Sequence, residues 1–312
     1  MTKAKQILSI MIAVICTFVY IQRGIPQEEL IYVSSQERDH LGIVLLYDNT
    51  YLVPVYVEVP YLLDEKDSIL QAIEYMKNDK EYGKLRGFLN QSAYLNTVLL
   101  EEDIAYIDVS SNLFTVDRIT NRKIAEALVS LLRMNTTIQE MVLSEEGMLL
   151  GDLPYTTIPI KNMVYALPLN LFETQVPQHK GIPFTTYKAI SNHDQTLWMP
   201  ITQYIDGKMS VELVMEQYSK EMVSLGIFSD KISPLVSYTF QEGILQLTLD
   251  RSICSSEMGI EEDPLNLLLL FLFSNLHPLG IELYIEEDVY LYRGQYKLIR
   301  SKDLLYNVLS KE

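Results

Sequence analysis

Short runs of carboxylates are the residues whose types and spacing could do chemistry here. Glu101-Glu102-Asp103, Glu145-Glu146, Glu261-Glu262-Asp263 and Glu286-Glu287-Asp288 each gather acids at adjacent positions. A pair of carboxyl groups can hydrolyse a glycoside, provided that an apolar pocket raises the pKa of one of them. These runs fall at expected hairpin turns and helix starts, where charge is solvated. Calcium needs alternating oxygen ligands and a glycine in one loop, and no Asp-x-Asp-x-Asp-Gly is present. The histidines, His40, His179, His193 and His277, fall in expected loops or linkers, and none lies four positions from another. They read as turn or surface histidines, not as ligands or bases. Nucleophile-elbow, phosphate-loop and zinc-helix motifs are absent from the sequence. Cys16 and Cys254 are too few for a disulfide framework or a cysteine-rich zinc site. The expectation is a protein with no catalytic residues, no metal and no cofactor.

Two apolar features remain. Leu267, Leu268, Leu269, Leu270, Phe271, Leu272 and Phe273 are consecutive, so a helix over 265–276 is apolar all round. A helix lying on a sheet needs only one apolar stripe. Either another segment of the chain (the 151–180 linker or the C-terminus) covers the outer face, or these residues are an interface with a partner. The chain also has 21 tyrosines, many on expected strands. Tyrosine suits half-buried sheet faces, protein interfaces and aromatic glycan platforms alike.

Charge narrows the partners. Acids outnumber bases 41 to 25, for a net charge of −16. Nucleic acid needs a basic footprint and is excluded as an expected partner. Lys3 and Lys5 precede the apolar run Ile7–Ile21, which ends at Arg23, Gly24 and Pro26. This is the layout of a signal sequence without a clean small-residue cleavage site. Residues 1–24 read as an uncleaved signal anchor spanning the cytoplasmic membrane once, with the N-terminus inside. Cleavage is the second reading. Lipidation at Cys16 is the third, and bulky Ile15 disfavours it. Beyond residue 24 there remain 22 bases against 41 acids, so the exported part carries −19. Anionic membrane surfaces repel such a domain, and its expected partners are proteins or further copies of itself.

The positions of these features follow from an internal repeat. Residues 25–40 are polar and without period, and read as a stalk. Two blocks follow, at 41–150 and 181–300, separated by a proline-rich linker at 151–180 and followed by a tail at 301–312. Each opens with two apolar strands. Pro54 and Pro200 recur in the second strand of each pair. A helix follows, with Asp67 expected as its N-cap in the first block and Ser210 in the second. A hairpin, a second helix and a closing strand complete each block. Asp263-Pro264 is the expected start of the last helix. Residues 303–309 suggest a short terminal helix. The unit is β-β-α-β-β-α-β, and the expected fold class is α+β, two tandem two-layer α/β sandwiches.

This pattern resembles tandem GerM domains of sporulation and germination proteins. Leu52-Val53-Pro54-Val55 matches the family's proline-bearing strand, and Ser68–Ile73 its first helix. Ile104–Ser110, with Asp108, resembles its aspartate-bearing strand. Ile124–Leu132 and Met141–Gly147 resemble its closing helix, strand and glycine. In the second block Leu249-Asp250-Arg251-Ser252 stands where the aspartate–serine end is expected. The resemblance implies an exported, membrane-anchored protein of an endospore-forming bacterium, similar in fold to ring-building motifs and without catalytic residues. The expected role is envelope assembly through protein contacts. A glycan- or peptidoglycan-binding module is the alternative, and an envelope hydrolase the third reading.

Overall fold

The opening strands of the first block are apolar at consecutive positions, not at alternate ones, so they require cover on both faces. This requirement shapes the molecule. The computed structural model describes residues 31–32, 40–60, 64–156, 159–160, 168–172, 181–228, 233–254, 260–286 and 288–309. The expected anchor, Cys16, His179 and the run Met163–Leu167 lie outside the described residues.

The first block contains β2 (His40–Tyr47), β3 (Tyr51–Glu58), α1 (Glu65–Tyr75), β4 (Glu81–Tyr82) and β5 (Leu85–Arg86). It continues with β6 (Leu95–Glu101), β7 (Ile104–Val109), α2 (Arg118–Asn135), β8 (Glu140–Glu145) and β9 (Met148–Leu149). The second contains β11 (Ile182–Asn192), β12 (Gln195–Ile205), α3 (Val211–Ser224), β13 (Leu235–Gln241) and β14 (Ile244–Leu249). It continues with α4 (Glu262–Leu276), β15 (Gly280–Ile285), β16 (Asp288–Leu291) and β17 (Leu298–Ile299). Three short strands lie outside this pattern: β1 (Ile31–Tyr32), β10 (Leu171–Phe172) and β18 (Val308–Leu309).

Each block was expected to build one sheet under its helices. Instead, its strands divide between two sheets. The hairpin β2–β3 belongs to a sheet of order β18-β3-β2-β5-β4, while β6 to β9 form another. The hairpin β11–β12 pairs with β10, while β13 to β17 form a sheet that β1 extends. The six central residues of β2 and of β3 are all buried. Strands with two dry faces cannot lie at the solvated back of a two-layer sandwich, so the hairpin β2–β3 lies where the two blocks meet. Contacts between β3 and β12 join them there.

Several boundaries differ from the sequence reading. Ile31–Tyr32, within the expected stalk, pairs in parallel with Tyr290 and Leu291. Part of the expected linker is strand β10. Residues 301–303 form a 3-10 turn and Val308–Leu309 a strand, where a terminal helix was expected. The first helix is capped by Asp64, whose carboxylate accepts from the Asp67 amide at 2.7 Å. The last helix begins at Glu262, which puts Asp263 inside its first turn. Acids there still offset the positive helix end. Ser210 caps α3 through the Leu213 amide, as expected.

Candidate interaction surfaces and the junction between the blocks

The seven residues Leu267–Phe273 are core. None exceeds 9% exposure. Helix α4 is apolar all round because the chain surrounds it. Helix α3 and strand β11 pack against it. Tyr218 donates to the Pro264 carbonyl at 3.1 Å, and the Tyr187 and Phe271 rings meet at 5.6 Å. Asn266 reaches the Leu305 carbonyl at 3.0 Å, so the C-terminal segment does cover part of the helix. Of the two readings offered for these residues, cover by the chain itself holds and the partner interface does not.

Two of the acidic runs supply turn carboxylates, Glu261–Asp263 leads into α4, and Glu287 lies outside the described residues. Glu146 and Glu286 stand at equivalent positions with left-handed backbones. Glu146 Oε1 accepts from the Ser111 amide at 3.0 Å and Glu286 Oε1 from the Arg251 amide at 3.4 Å. Each carboxylate thus ties a strand end to the turn after the closing strand. Asp108 works beside them. It accepts from Ser144 Oγ at 2.6 Å, the Gly147 amide at 2.8 Å and Asn96 Nδ2 at 2.8 Å. The Ser144 bond, then the Gly147 amide, hold its carboxyl below the usual carboxylate range. The structure therefore brings together Asp108, Ser144 and Gly147, three residues of the resembling pattern, as a structural link. In the second block Asp250 matches Ser110, not Asp108, and caps a 3-10 turn through the Ser252 amide at 2.8 Å.

Among the described histidines, His40 begins β2, where a loop was expected. His193 lies in the β11–β12 turn, and His277 follows α4 in a left-handed conformation. Desolvation of the His277 imidazole, with Arg133 nearby, lowers its pKa to about 4. Among the described residues no cluster of three potential metal ligands occurs.

Four asparagines that the sequence reading passed over clamp the opening hairpins, Asn135 and Asn275 each within its own block and Asn170 and Asn307 across the junction. Asn135, the last residue of α2, bonds both the amide and the carbonyl of Gly42 at 2.9 and 2.8 Å. Asn275 in α4 bonds both groups of Thr185 at 2.7 and 2.9 Å. Each also donates to the carbonyl four residues back. Asn170 bonds the amide and carbonyl of Leu52 and reaches the Pro200 carbonyl at 2.8 Å. Asn307 bonds both groups of Trp198 and reaches the Pro54 carbonyl at 2.8 Å.

The second pair of clamps is reciprocal. Strand β10, after the first block, pairs in parallel with Thr202 and Gln203 of the second. Strand β18, after the second block, pairs in parallel with Tyr56 and Val57 of the first. Each block therefore lends a strand to the other about a pseudo-two-fold axis near Pro54 and Pro200. The sequence signal was short: Leu-Asn-Leu-Phe at 169–172 and Tyr-Asn-Val-Leu at 306–309.

Several hollows lie along this junction, including one of about 300 Å³ between Arg133 and Gln139 on one side and His277 and Arg300 on the other. Another, of about 90 Å³, is lined by Glu126, Ser130, Arg133, Tyr187, Ser274 and Tyr306. Its polar groups are partnered: the Tyr187 and Ser274 hydroxyls lie 2.5 Å apart, and Glu126 accepts from Arg122 and from the Asn170 amide outside the hollow. A third, about 670 Å³, is an open groove bearing Tyr75, Tyr82, Glu58, Glu81, Asn192 and Gln195.

The outer sheet edges differ between the blocks. The hairpins β6–β7 and β13–β14 have the same register, with an irregularity at the same place. Val98 therefore matches Tyr238, and Leu100 matches Phe240. Helix α1 packs across β6, and Val98 is 1% exposed. Helix α3 lies chiefly against α4, leaving Val236, Tyr238 and Phe240 at 58%, 39% and 49% exposure.

Two α+β units with a shared strand plan, joined by reciprocal strands, define a tandem-domain α+β protein. The fold is that of tandem GerMN domains. The chain is similar to the tandem GerMN domains of the sporulation protein GerM from Bacillus subtilis. The TM-score is 0.62 at 19% identity, covering 86% of this chain and 99% of that one. Against the first GerMN domain of that protein the TM-score is 0.35 at 20% identity, over 39% of this chain and 94% of the other. No family model matches the chain, and no curated protein matches it in sequence.

Proposed function

We propose that this chain is a non-enzymatic, membrane-anchored protein of the outer face of the cytoplasmic membrane. It acts in envelope assembly during sporulation or germination, through contacts between proteins. The fold shared with tandem GerMN domains supports this reading, and so does the apolar N-terminal run. Among the described residues no helix is long and apolar enough to cross a membrane, so the anchor rests on that N-terminal run alone. One observation carries the assembly role: among the described residues the sheet edge β13 exposes Val236, Tyr238 and Phe240 along one uncharged strand. The proposal is tested by crosslinking the full-length protein in its native membrane and identifying what is captured. Recovery of monomer alone, with no partner protein, overturns it.

A glycan-binding role is the second reading. The groove at Tyr75 and Tyr82 supports it, since two aromatic rings stand among amide and carboxylate groups. Retention of the protein on purified cell-wall glycan, lost on Tyr82→Ala, would favour it.

A further inference from the structure

We propose that β13 is the surface through which two copies of this chain pair, edge to edge and antiparallel, about a two-fold axis at Tyr238. The proposal rests on the assembly reading and names the partner.

Among the described residues strand β13 is the unpaired end of its sheet, whose opposite end β1 extends. Natural edge strands are usually guarded by charges, proline or a covering element. Leu235–Gln241 (LVSYTFQ) has no charged residue and no proline, in a chain that is 21% charged with net charge −16. Two such chains repel one another, and this neutral strip is where they meet with least repulsion.

The strip also complements itself. Antiparallel pairing centred on Tyr238 sets Tyr238 against Tyr238 of the second copy and Val236 against Phe240. On the other face it sets Ser237 against Thr239. Aromatic, aromatic–aliphatic and hydroxyl pairs are favourable cross-strand neighbours. A two-fold axis makes one patch serve both subunits. The chain already joins its two halves by reciprocal strand addition, at β10 and β18. One repulsive element is built in. Tyr238 donates to Glu212 at 2.8 Å, so pairing brings two Glu212 carboxylates toward the axis. Salt screens them and therefore strengthens this dimer, whereas salt weakens the docking of a basic partner.

The experiment is sedimentation of the full chain in mild detergent over a range of concentrations and salt. The wild-type chain is expected to dimerise, more tightly at higher salt. The double variants V236E/F240E and V236K/F240K each place like charges opposite one another. Each is expected to weaken the dimer at least roughly tenfold. Mixing the two variants in equal amounts puts Glu against Lys and restores it. Both positions are exposed, and matching thermal unfolding curves confirm intact folds. A monomeric wild type, variants that dimerise like wild type, or a mixture that fails to recover would each overturn the proposal. If the wild type stays monomeric while membrane crosslinking captures a different envelope protein, the assembly reading survives and this partner does not.

Discussion

Asn170 and Asn307 make the same three bonds in opposite directions across the molecule. Each clamps the amide and carbonyl of a strand in the block before it and reaches the proline carbonyl of the other block. Both have left-handed backbones, with φ of 53° and 52°. Asparagine tolerates that conformation better than most residues, and its amide can both donate and accept. One residue type therefore serves as turn former and strand clamp.

Replacing Asn307 by alanine leaves buried backbone groups of Pro54 and Trp198 unpaired. The expected loss is about 2–4 kcal/mol of unfolding free energy. Asn307→Gly keeps the backbone relaxed and isolates the hydrogen-bond part of that loss. Urea unfolding of the full chain measures both. A loss below about 0.5 kcal/mol for Asn307→Ala would show that the clamp adds nothing beyond an average surface contact.

Leu268 and Phe240 give opposite expectations for two apolar residues. Leu268 is fully buried in α4, so Leu268→Ala is expected to remove about 3 kcal/mol or more. Phe240 is half exposed on β13, and Phe240→Asp is expected to stay within about 1 kcal/mol. Thermal unfolding of the two variants side by side checks the contrast. Equal losses would contradict the division between core and surface.

Glu126 predicts a pH dependence. It is 4% exposed between the blocks, and burial raises its carboxyl pKa, against the lowering influence of Arg122. The folded state therefore holds this proton more tightly than the unfolded chain. The benefit is fully present below the ordinary pKa of 4.5 and is lost as pH rises through the raised value. Glu126→Gln removes that slope. Unfolding measured as a function of pH should show the flattening in the variant, and an unchanged slope would exclude Glu126 as its source.

Gly83 tests the fit between the blocks. Its φ is +67°, and an added Cβ would lie 2.5 Å from Asn192 Oδ1 and from the His193 ring. Asn192 accepts the neighbouring Lys84 amide at 2.7 Å, so it cannot withdraw without losing that bond. Gly83→Ala is expected to displace the β11–β12 tip and destabilise the chain by about 2 kcal/mol. Faster proteolysis near residues 192–195 is the direct readout. Unchanged cleavage would mean that the tip does not bear on this turn.

Much of the architecture was legible in the chain itself. The apolar runs, the recurring Pro54 and Pro200 and the hairpin turns defined two related blocks and the order of their main elements. Local rules suffice there, because strand alternation, caps and turns are decided within a few residues. The acidic runs were likewise read as turns, although the bonds from Glu146 and Glu286 to distant amides were not visible. Tertiary structure alone decided where the surfaces lie. Leu267–Phe273 has the composition of an interface, yet β11, α3 and residue 305 enclose it. Leu235–Gln241 looks like an ordinary amphipathic strand, yet the position of α3 leaves it bare. Composition states how much surface a segment must hide. Which partner hides it depends on contacts between residues tens to hundreds of positions apart, and Asn170 and Asn307 make theirs through single polar side chains that leave no periodic mark on the sequence.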